Sequence, residues 1–231
     1  MRERPIVAID GPSGSGKTTV SKRLAQRARL TRLDTGAMYR ACALAAQWAG
    51  IPWSDGERLG RMCAGLAIEF RGEGEEIRVI LSGKDVSDAI RTPGISMGAS
   101  EVSAHPPVRE AMVALQQKMG EGGGVVLEGR DTGTVVFPDA DAKFFLDAHA
   151  AVRALRRYRE WGAGEGKTYE EVLKEVLRRD IQDSTREHSP LRIAEGAVVI
   201  DSTTLTADEV VEEMLRGMPE TVGGTGGGGK P

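Results

Sequence analysis

Asparagine is missing altogether from the 231 residues, and Arg outnumbers Lys 23 to 8. Avoidance of a thermolabile amide fits a thermophilic source, and a GC-rich genome would raise Arg and Gly equally well. Cysteine is nearly absent too. Cys42 and Cys63 stand at no metal or redox spacing, so unpaired core filler in a reducing compartment is expected, and with it a cytoplasmic protein. No run approaches the ~18 apolar residues that cross a membrane. The opening Met1-Arg2-Glu3-Arg4-Pro5 leads into only four apolar residues, Ile6-Val7-Ala8-Ile9, too few for a signal-peptide core. A net charge of −3 gives no global basic field, which argues against a nucleic-acid polymer as partner. No coiled-coil repeat or exposed apolar stripe is evident, so a monomer is expected.

What remains is an ordinary globular composition, 40% hydrophobic and 28% charged. The length suits one α/β domain with one or two small inserted lobes. Pro5 to Asp10 reads as a short buried strand. Gly11 to Gly16 is a glycine-rich turn, and Lys17 to about Leu30 has helical spacing, which together open a βαβ unit. Helices are expected at Ala37–Trp48, from a capping box at Ser54–Glu57 to about Gly65, and at Val108–Met119. Between the last two, residues 66–70 and 76–81 alternate as half-exposed strands around a turn at Arg71-Gly72-Glu73-Gly74-Glu75. The buried-strand pattern returns at Val125–Glu128, Ala142–Asp147 and Ala197–Asp201. Helices are predicted from His149 to Trp161, from a capping box at Thr168–Glu171 to Asp183 after the loop Gly162-Ala163-Gly164-Glu165-Gly166, and from a cap at Thr206–Glu209 to Gly217. The Gly-rich tail, residues 218–231, is expected to be disordered.

Gly11-Pro12-Ser13-Gly14-Ser15-Gly16-Lys17-Thr18 fits G-x-x-x-x-G-K-[ST] without a mismatch. Glycines let backbone N–H groups converge on phosphate oxygens, and the following helix adds its positive end. Lys17 is placed to reach the β and γ phosphates, Thr18 to bind Mg²⁺, and Thr19 completes the ATP contacts. A guanine-reading N-K-x-D cannot exist without Asn, and no T-K-x-D replaces it, so a GTPase switch is excluded. A motor or transporter ATPase would be longer. Small phosphotransferases remain, with a nucleotide-binding regulator as the alternative from another class.

Bringing two anionic substrates together calls for guanidinium groups, which stay charged and grip phosphate with two hydrogen bonds. Clusters lie at Leu33–Arg40, at Ser100 with Arg109, at Glu128-Gly129-Arg130-Asp131-Thr132-Gly133 after a buried strand, and at Arg178–Arg186. The arginines at 153, 156, 157 and 159 are expected chiefly on a solvated helix face, with Arg157 kept as a candidate ATP contact. From these residues alone the acceptor could be a nucleoside monophosphate, shikimate or gluconate.

Asp10–Lys17, Asp34-Thr35-Gly36-Ala37-Met38-Tyr39-Arg40, Gly129–Pro138 and Asp201-Ser202-Thr203 together resemble the bacterial cytidylate kinases, in order and spacing from about Ile6 to Arg216. The resemblance implies ATP-dependent phosphorylation of CMP and dCMP, rather than of UMP or AMP. It also implies a five-stranded parallel P-loop sheet with helices on both faces, an acceptor lobe with small antiparallel strands, and a helical lid. The core would be 1–35, 121–152 and 187–217, the insert 36–120 and the lid 153–186. Thr35, Arg40, Arg130 and Arg179 match positions that hold the acceptor phosphate. Ser100, Arg109 and Asp131 match positions that read cytosine, and Asp183 and Arg186 positions near the sugar. Lys17, Arg130, Asp131 and Arg179 are the expected catalytic set. Thr35 stands where some members carry Ser, which preserves a hydroxyl. Gln182 and Ser184 make the lid less basic than in some relatives.

Overall fold

A computed structural model describes residues 4–72, 77–162, 164 and 166–219. The expected turn residues 73–75 with Glu76, the loop residues 163 and 165, and the tail from residue 220 lie outside the described residues. The chain divides into two compact units, one running up to Arg32 and resuming at Gly122, the other spanning Leu33–Glu121.

The first unit is built on a sheet whose centre is β1 (Ile6–Asp10), five residues buried without exception. Such a run fits a strand covered on both faces. It pairs in parallel with β6 (Val125–Gly129) on one side and β7 (Ala142–Asp147) on the other, and β7 pairs in parallel with β8 (Val198–Asp201). With β2 (Thr31–Asp34) the order is β2-β6-β1-β7-β8, the five-stranded sheet expected. β2 escaped the sequence reading because Thr-Arg-Leu-Asp carries one apolar residue in four. Helix α1 (Lys17–Ala28) buries Val20, Leu24 and Ala25 beside Val210, Val211 and Met214 of α8 (Ala207–Arg216), around Val7, Ile9, Phe144 and Leu146 of the sheet. Each such side chain contributes about 1.5–3 kcal/mol by leaving water. Met218, which the sequence assigns to the tail, is buried in this same cluster.

Two further helices complete the unit. In α6 (Ala150–Arg157) the expected helix is shorter and passes into a π-helical turn at Tyr158–Gly162. In α7 (Tyr169–Thr185) the predicted box is present: the Thr168 hydroxyl accepts from the Glu171 amide while the Glu171 carboxylate takes the Thr168 N–H. Thr206 and Glu209 repeat it at α8.

The second unit is largely helical. It holds α2 (Thr35–Trp48), α3 (Gly56–Ala64), α4 (Pro93–Val102) and α5 (Pro106–Gly120) around Met38, Leu59, Val108 and Met112. An antiparallel sheet of β3 (Ile68–Arg71), β4 (Arg78–Leu81) and β5 (Lys84–Asp85) completes it. The cap of α3 is Asp55, whose carboxylate accepts from the Arg58 amide, and not Ser54 as the sequence suggests. Two glycines hid α4, although Thr92 capping it and Pro93 in its first turn are a start signal.

The cysteines correct a second expectation. Cys42 and Cys63, read as unpaired filler, form a disulfide between α2 and α3, their Cα atoms 6.4 Å apart. That spacing is within the range a disulfide spans, and it arises because both residues are buried in the same core.

Helix α3 lies against α5 so closely that a Cβ on Gly60 would come 2.4 Å from Cβ of Pro107. A proline ring cannot swing away, so the clash outweighs the ~1 kcal/mol of helix propensity that alanine would add. Gly60→Ala is expected to destabilise the protein by about 1–3 kcal/mol, read as a lower midpoint in thermal unfolding; an unchanged or raised midpoint would refute this account of the contact.

Candidate active site

The C-terminal ends of β1 and β6 lie in register, Ile9 opposite Glu128 and Asp10 opposite Gly129. Loops leaving such ends are where parallel sheets bind ligands. The loop after β1 is the glycine-rich turn. Gly11 has φ +151° and a Cβ there would fall 2.0 Å from the Leu146 carbonyl oxygen, while Gly14 has φ +79° and packs on the backbone of Arg153. Neither position accepts a side chain, which is why the motif needs glycine at both.

Lys17 opens α1 and is 7% exposed. Its ammonium donates to the carbonyls of Gly11 (2.7 Å) and Pro12 (2.6 Å) and to Ser15 Oγ (3.3 Å). Burial and then the charge of Arg130 hold it well below the ordinary ammonium range, against the opposing pull of Glu128, Asp10 and Asp183. Thr18 Oγ1 donates to Glu128 Oε2 at 2.9 Å, and Ser21 Oγ to Glu128 Oε1 at 3.1 Å. Arg32, buried beside them, forms an ion pair with the same carboxylate and donates to Ser21 Oγ.

Asp10 closes β1 and accepts from the Thr132 amide, the Thr132 hydroxyl and the Gly133 amide, each at 2.8 Å. Burial raises its carboxyl above the ordinary value; those three hydrogen bonds work against the shift. They fix the segment Arg130–Gly133 to the start of the phosphate loop. Beyond Asp131 the chain turns through a π-helical segment, Thr132–Val136.

Arg130 Nε donates to Asp183 Oδ2 at 2.7 Å. Burial opposes the Arg130 charge, yet the charge and hydrogen bond of Asp183, together with the charges of Asp10 and Glu128, outweigh it and the guanidinium is held above its ordinary range. Burial likewise opposes ionisation of Asp183, and Arg130, Arg179 and Arg186 together hold its pKa below the ordinary carboxylate value. Arg186 also stands 4.0 Å from Asp131 and donates to the Ser189 carbonyl. Arg130, Asp131, Arg179, Asp183 and Arg186 are therefore one charge cluster within the first unit.

The remaining acceptor candidates belong to the second unit. Thr35 is buried as the first residue of α2, whose cap is Asp34, accepting from the Ala37 amide at 2.8 Å. Arg40, one turn on, pairs with the other Asp34 oxygen at 3.2 Å. Arg109 is buried in the first turn of α5, its guanidinium 5.6 Å from the Tyr39 ring centre, and it donates to the Ser103 carbonyl. Ser100 lies half-buried near the end of α4.

Two expectations about the arginine-rich helix need correction. Arg153 and Arg156 do not line a solvated face: Arg153 is 5% exposed and Arg156 half-buried. Both turn their guanidinium groups inward onto phosphate-loop carbonyls. Arg157 is half-buried at the end of α6, and Arg159 is exposed as expected. Sequence reasoning named Asp10 and Glu128 only as members of motif stretches, giving them no role, and passed over Arg32. The first two had a readable signal, a carboxylate closing an otherwise apolar strand; Arg32 had none.

The family model for cytidylate kinase matches residues 7–220. The chain belongs to the cytidylate kinase family. Among its relatives are proteins named cytidylate kinase from Geobacter sp. strain M21, 55% identical over 93% of each chain, and from Citrifermentans bemidjiense, 54% identical over 90% of each. Family membership extends to the whole order of motifs from Asp10 to Thr203. A solved structure of an uncharacterized protein from Eubacterium ventriosum, 12% identical with a TM-score of 0.50 over 92% of this chain and 97% of that one, is alike in fold.

The Arg130–Asp183 pair carries a pH signature. Asp183 has its carboxyl lowered from 3.8 in the folded state, so the pair stabilises the protein fully above the unfolded value and is lost as pH falls through the lower folded one. The unfolding-midpoint gap between wild type and Asp183→Asn should be constant from neutrality to about pH 5 and close as pH falls below about 4; a gap that widens on acidification would contradict the assignment.

Proposed function

We propose that the protein transfers the γ-phosphoryl group of ATP to CMP and dCMP, giving ADP with CDP or dCDP. What supports this most is the family match over residues 7–220 in a chain whose phosphate loop departs nowhere from its pattern.

In this reading the amides of residues 13–18, with Thr19, hold the donor phosphates, and Lys17 moves from its loop carbonyls to the β and γ oxygens. Mg²⁺ fits Thr18, whose hydroxyl stands beside the Glu128 carboxylate as a hard oxygen donor, and the ion would neutralise charge on the β and γ phosphates. Arg157 contributes to ATP binding. Thr35, Arg40, Arg130 and Arg179 grip the acceptor phosphate. Arg109 donates to the cytosine carbonyl and ring nitrogen, Ser100 joins it in reading the base, and the Asp131 carboxylate accepts from the exocyclic amine that uracil lacks. Asp183 and Arg186 serve the sugar in both acceptors. No side-chain nucleophile is required, because positioning and charge neutralisation by Lys17, Arg130 and Arg179 supply the catalysis. We assign the core to 1–35, 121–152 and 187–217, acceptor specificity to 36–120, and to 153–186 the role of a lid that keeps water from the phosphoryl group. The enzyme would act as a monomer on these small nucleotides, with neither membrane nor nucleic-acid partner, and the cytoplasm is proposed from where such nucleotides are used, since the Cys42–Cys63 bond removes the cysteine argument for it.

Release of ADP from Mg-ATP, measured in parallel with CMP, dCMP, UMP, AMP and shikimate, tests the reading: turnover should depend on CMP or dCMP, and turnover with another acceptor alone would overturn it. Lys17→Ala should lower kcat at least about a hundredfold; activity within about threefold of wild type would remove Lys17 from the chemistry. Asp131→Ala should erode the preference for CMP over UMP in kcat/KM, and an unchanged ratio would take Asp131 out of base recognition.

A further inference from the structure

The phosphate loop must present its N–H groups inward, and something else has to hold the carbonyls that point the other way. A trans peptide unit sets its C=O and N–H on opposite sides. Fixing the Ser13 carbonyl therefore aims the Gly14 N–H, and fixing the Ser15 carbonyl aims the Gly16 N–H.

Both carbonyls are held from α6. Arg153 Nη1 donates to the Ser13 carbonyl at 3.0 Å. The same guanidinium donates from Nε to the Ala148 carbonyl at 2.8 Å, and from Nη1 and Nη2 to the two carboxylate oxygens of Asp180 at 3.0 and 2.6 Å. All three nitrogens are thus committed. Arg156 Nη1 donates to the Ser15 carbonyl at 3.3 Å, and the Ser202 hydroxyl lies 2.9 Å from that oxygen. Backbone contact reinforces the grip, since a Cβ on Gly14 would come 2.8 Å from the Arg153 carbonyl oxygen. Asp180 sits on α7, one residue after Arg179 and three before Asp183.

We propose that Arg153 is a positioning residue, anchored by Asp180, that clasps the outer face of the phosphate loop to α6 and α7 and so sets the direction of the loop amides. The role differs from that of a nucleotide ligand, and Asp180 separates the two. If Arg153 acts by holding the loop, removing its anchor weakens nucleotide binding. If Arg153 instead swings onto the nucleotide, removing Asp180 frees it, and binding is unchanged or tighter. The inference rests on reading residues 11–18 as the ATP loop.

The experiment is calorimetric titration of Mg-ATP, without acceptor, into the full chain as wild type, Asp180→Ala, Arg153→Ala and the double variant, with amide hydrogen exchange on the phosphate loop. Asp180→Ala and Arg153→Ala should each raise Kd about tenfold or more, the scale of a lost charged hydrogen bond. The double variant should be little worse than either, because the two act as one unit. The Gly14 amide should exchange faster in all three. Arg153→Lys and Asp180→Asn carry the same test if the alanine variants do not fold: lysine keeps the charge but cannot make the forked set of bonds, so it too should weaken binding. Wild-type affinity, or tighter, in Asp180→Ala and Asp180→Asn overturns the clasp while leaving the ATP reading intact. Failure of wild type to bind Mg-ATP overturns the ATP reading and the clasp with it.

Discussion

Asp10 is the point at which two separate requirements of a phosphate site are joined. A glycine-rich loop leaves the end of β1, an arginine-bearing loop leaves the end of β6, and each is too irregular to hold itself in place. The Asp10 carboxylate takes the Thr132 and Gly133 amides and the Thr132 hydroxyl. One strand end thus fixes the loop of the other. Glu128, one residue back on the neighbouring strand, does the same for the helix side by taking Thr18 and Ser21 while paired with Arg32. Removing either carboxylate would leave several buried donors without partners, each costing about 1–3 kcal/mol. The phosphate loop and the Arg130 segment are in this sense a single object, held from behind by carboxylates that need never touch substrate.

The same arrangement explains how so many charges can be buried beside one another. An ion taken out of water costs several kcal/mol even after relaxation. Here each cation already has acceptors: Lys17 the loop carbonyls, Arg130 the Asp183 carboxylate, Arg32 the Glu128 carboxylate. In the proposed reading, phosphate groups arriving at Lys17 would therefore replace existing partners rather than meet a bare charge. Exchange of this kind keeps the loop ordered before substrate arrives. Burial and then the Arg130 charge hold Lys17 below its usual range, its direct partners being neutral carbonyl and hydroxyl oxygens, whereas Asp183 with Asp10 and Glu128 hold the equally buried Arg130 above its own.

How much of this is readable from residue order depends on how local each feature is. The phosphate loop lies in eight consecutive residues whose backbone demands glycine at fixed places, so it shows directly. The five-stranded sheet was expected as a whole, yet β2 was not located, because four residues with one apolar side chain carry no period. The Cys42–Cys63 bond links residues on two helices, and nothing along the chain says that α2 and α3 lie side by side. The arginines proposed to hold the acceptor stand out only in combination with one another, through family resemblance. Arg153 was misread for a physical reason. Arginines crowded on a short helix ordinarily extend into water, and only the approach of the phosphate loop on one side and α7 on the other turns one of them into a buried strut.

The burial of Arg153 bears on the excess of Arg over Lys in this chain. A genome-wide bias would scatter arginine over the surface, where either cation serves. Several arginines of this chain occupy places lysine cannot fill. Arg153 bonds two carbonyls and both oxygens of a carboxylate at once. Arg156 bridges the Ser15 carbonyl and both oxygens of Ser202. Arg32 reaches Ser21 and Glu128 from the same nitrogen. An ammonium is one compact charge on a flexible stem, while a guanidinium spans several acceptors in a fixed plane. Around the phosphate loop the choice of arginine is thus made by geometry, whatever sets it elsewhere. Lys17 is the exception that fits the rule: it is the cation that the proposed reaction requires to let go of its partners, and its direct partners are neutral oxygens.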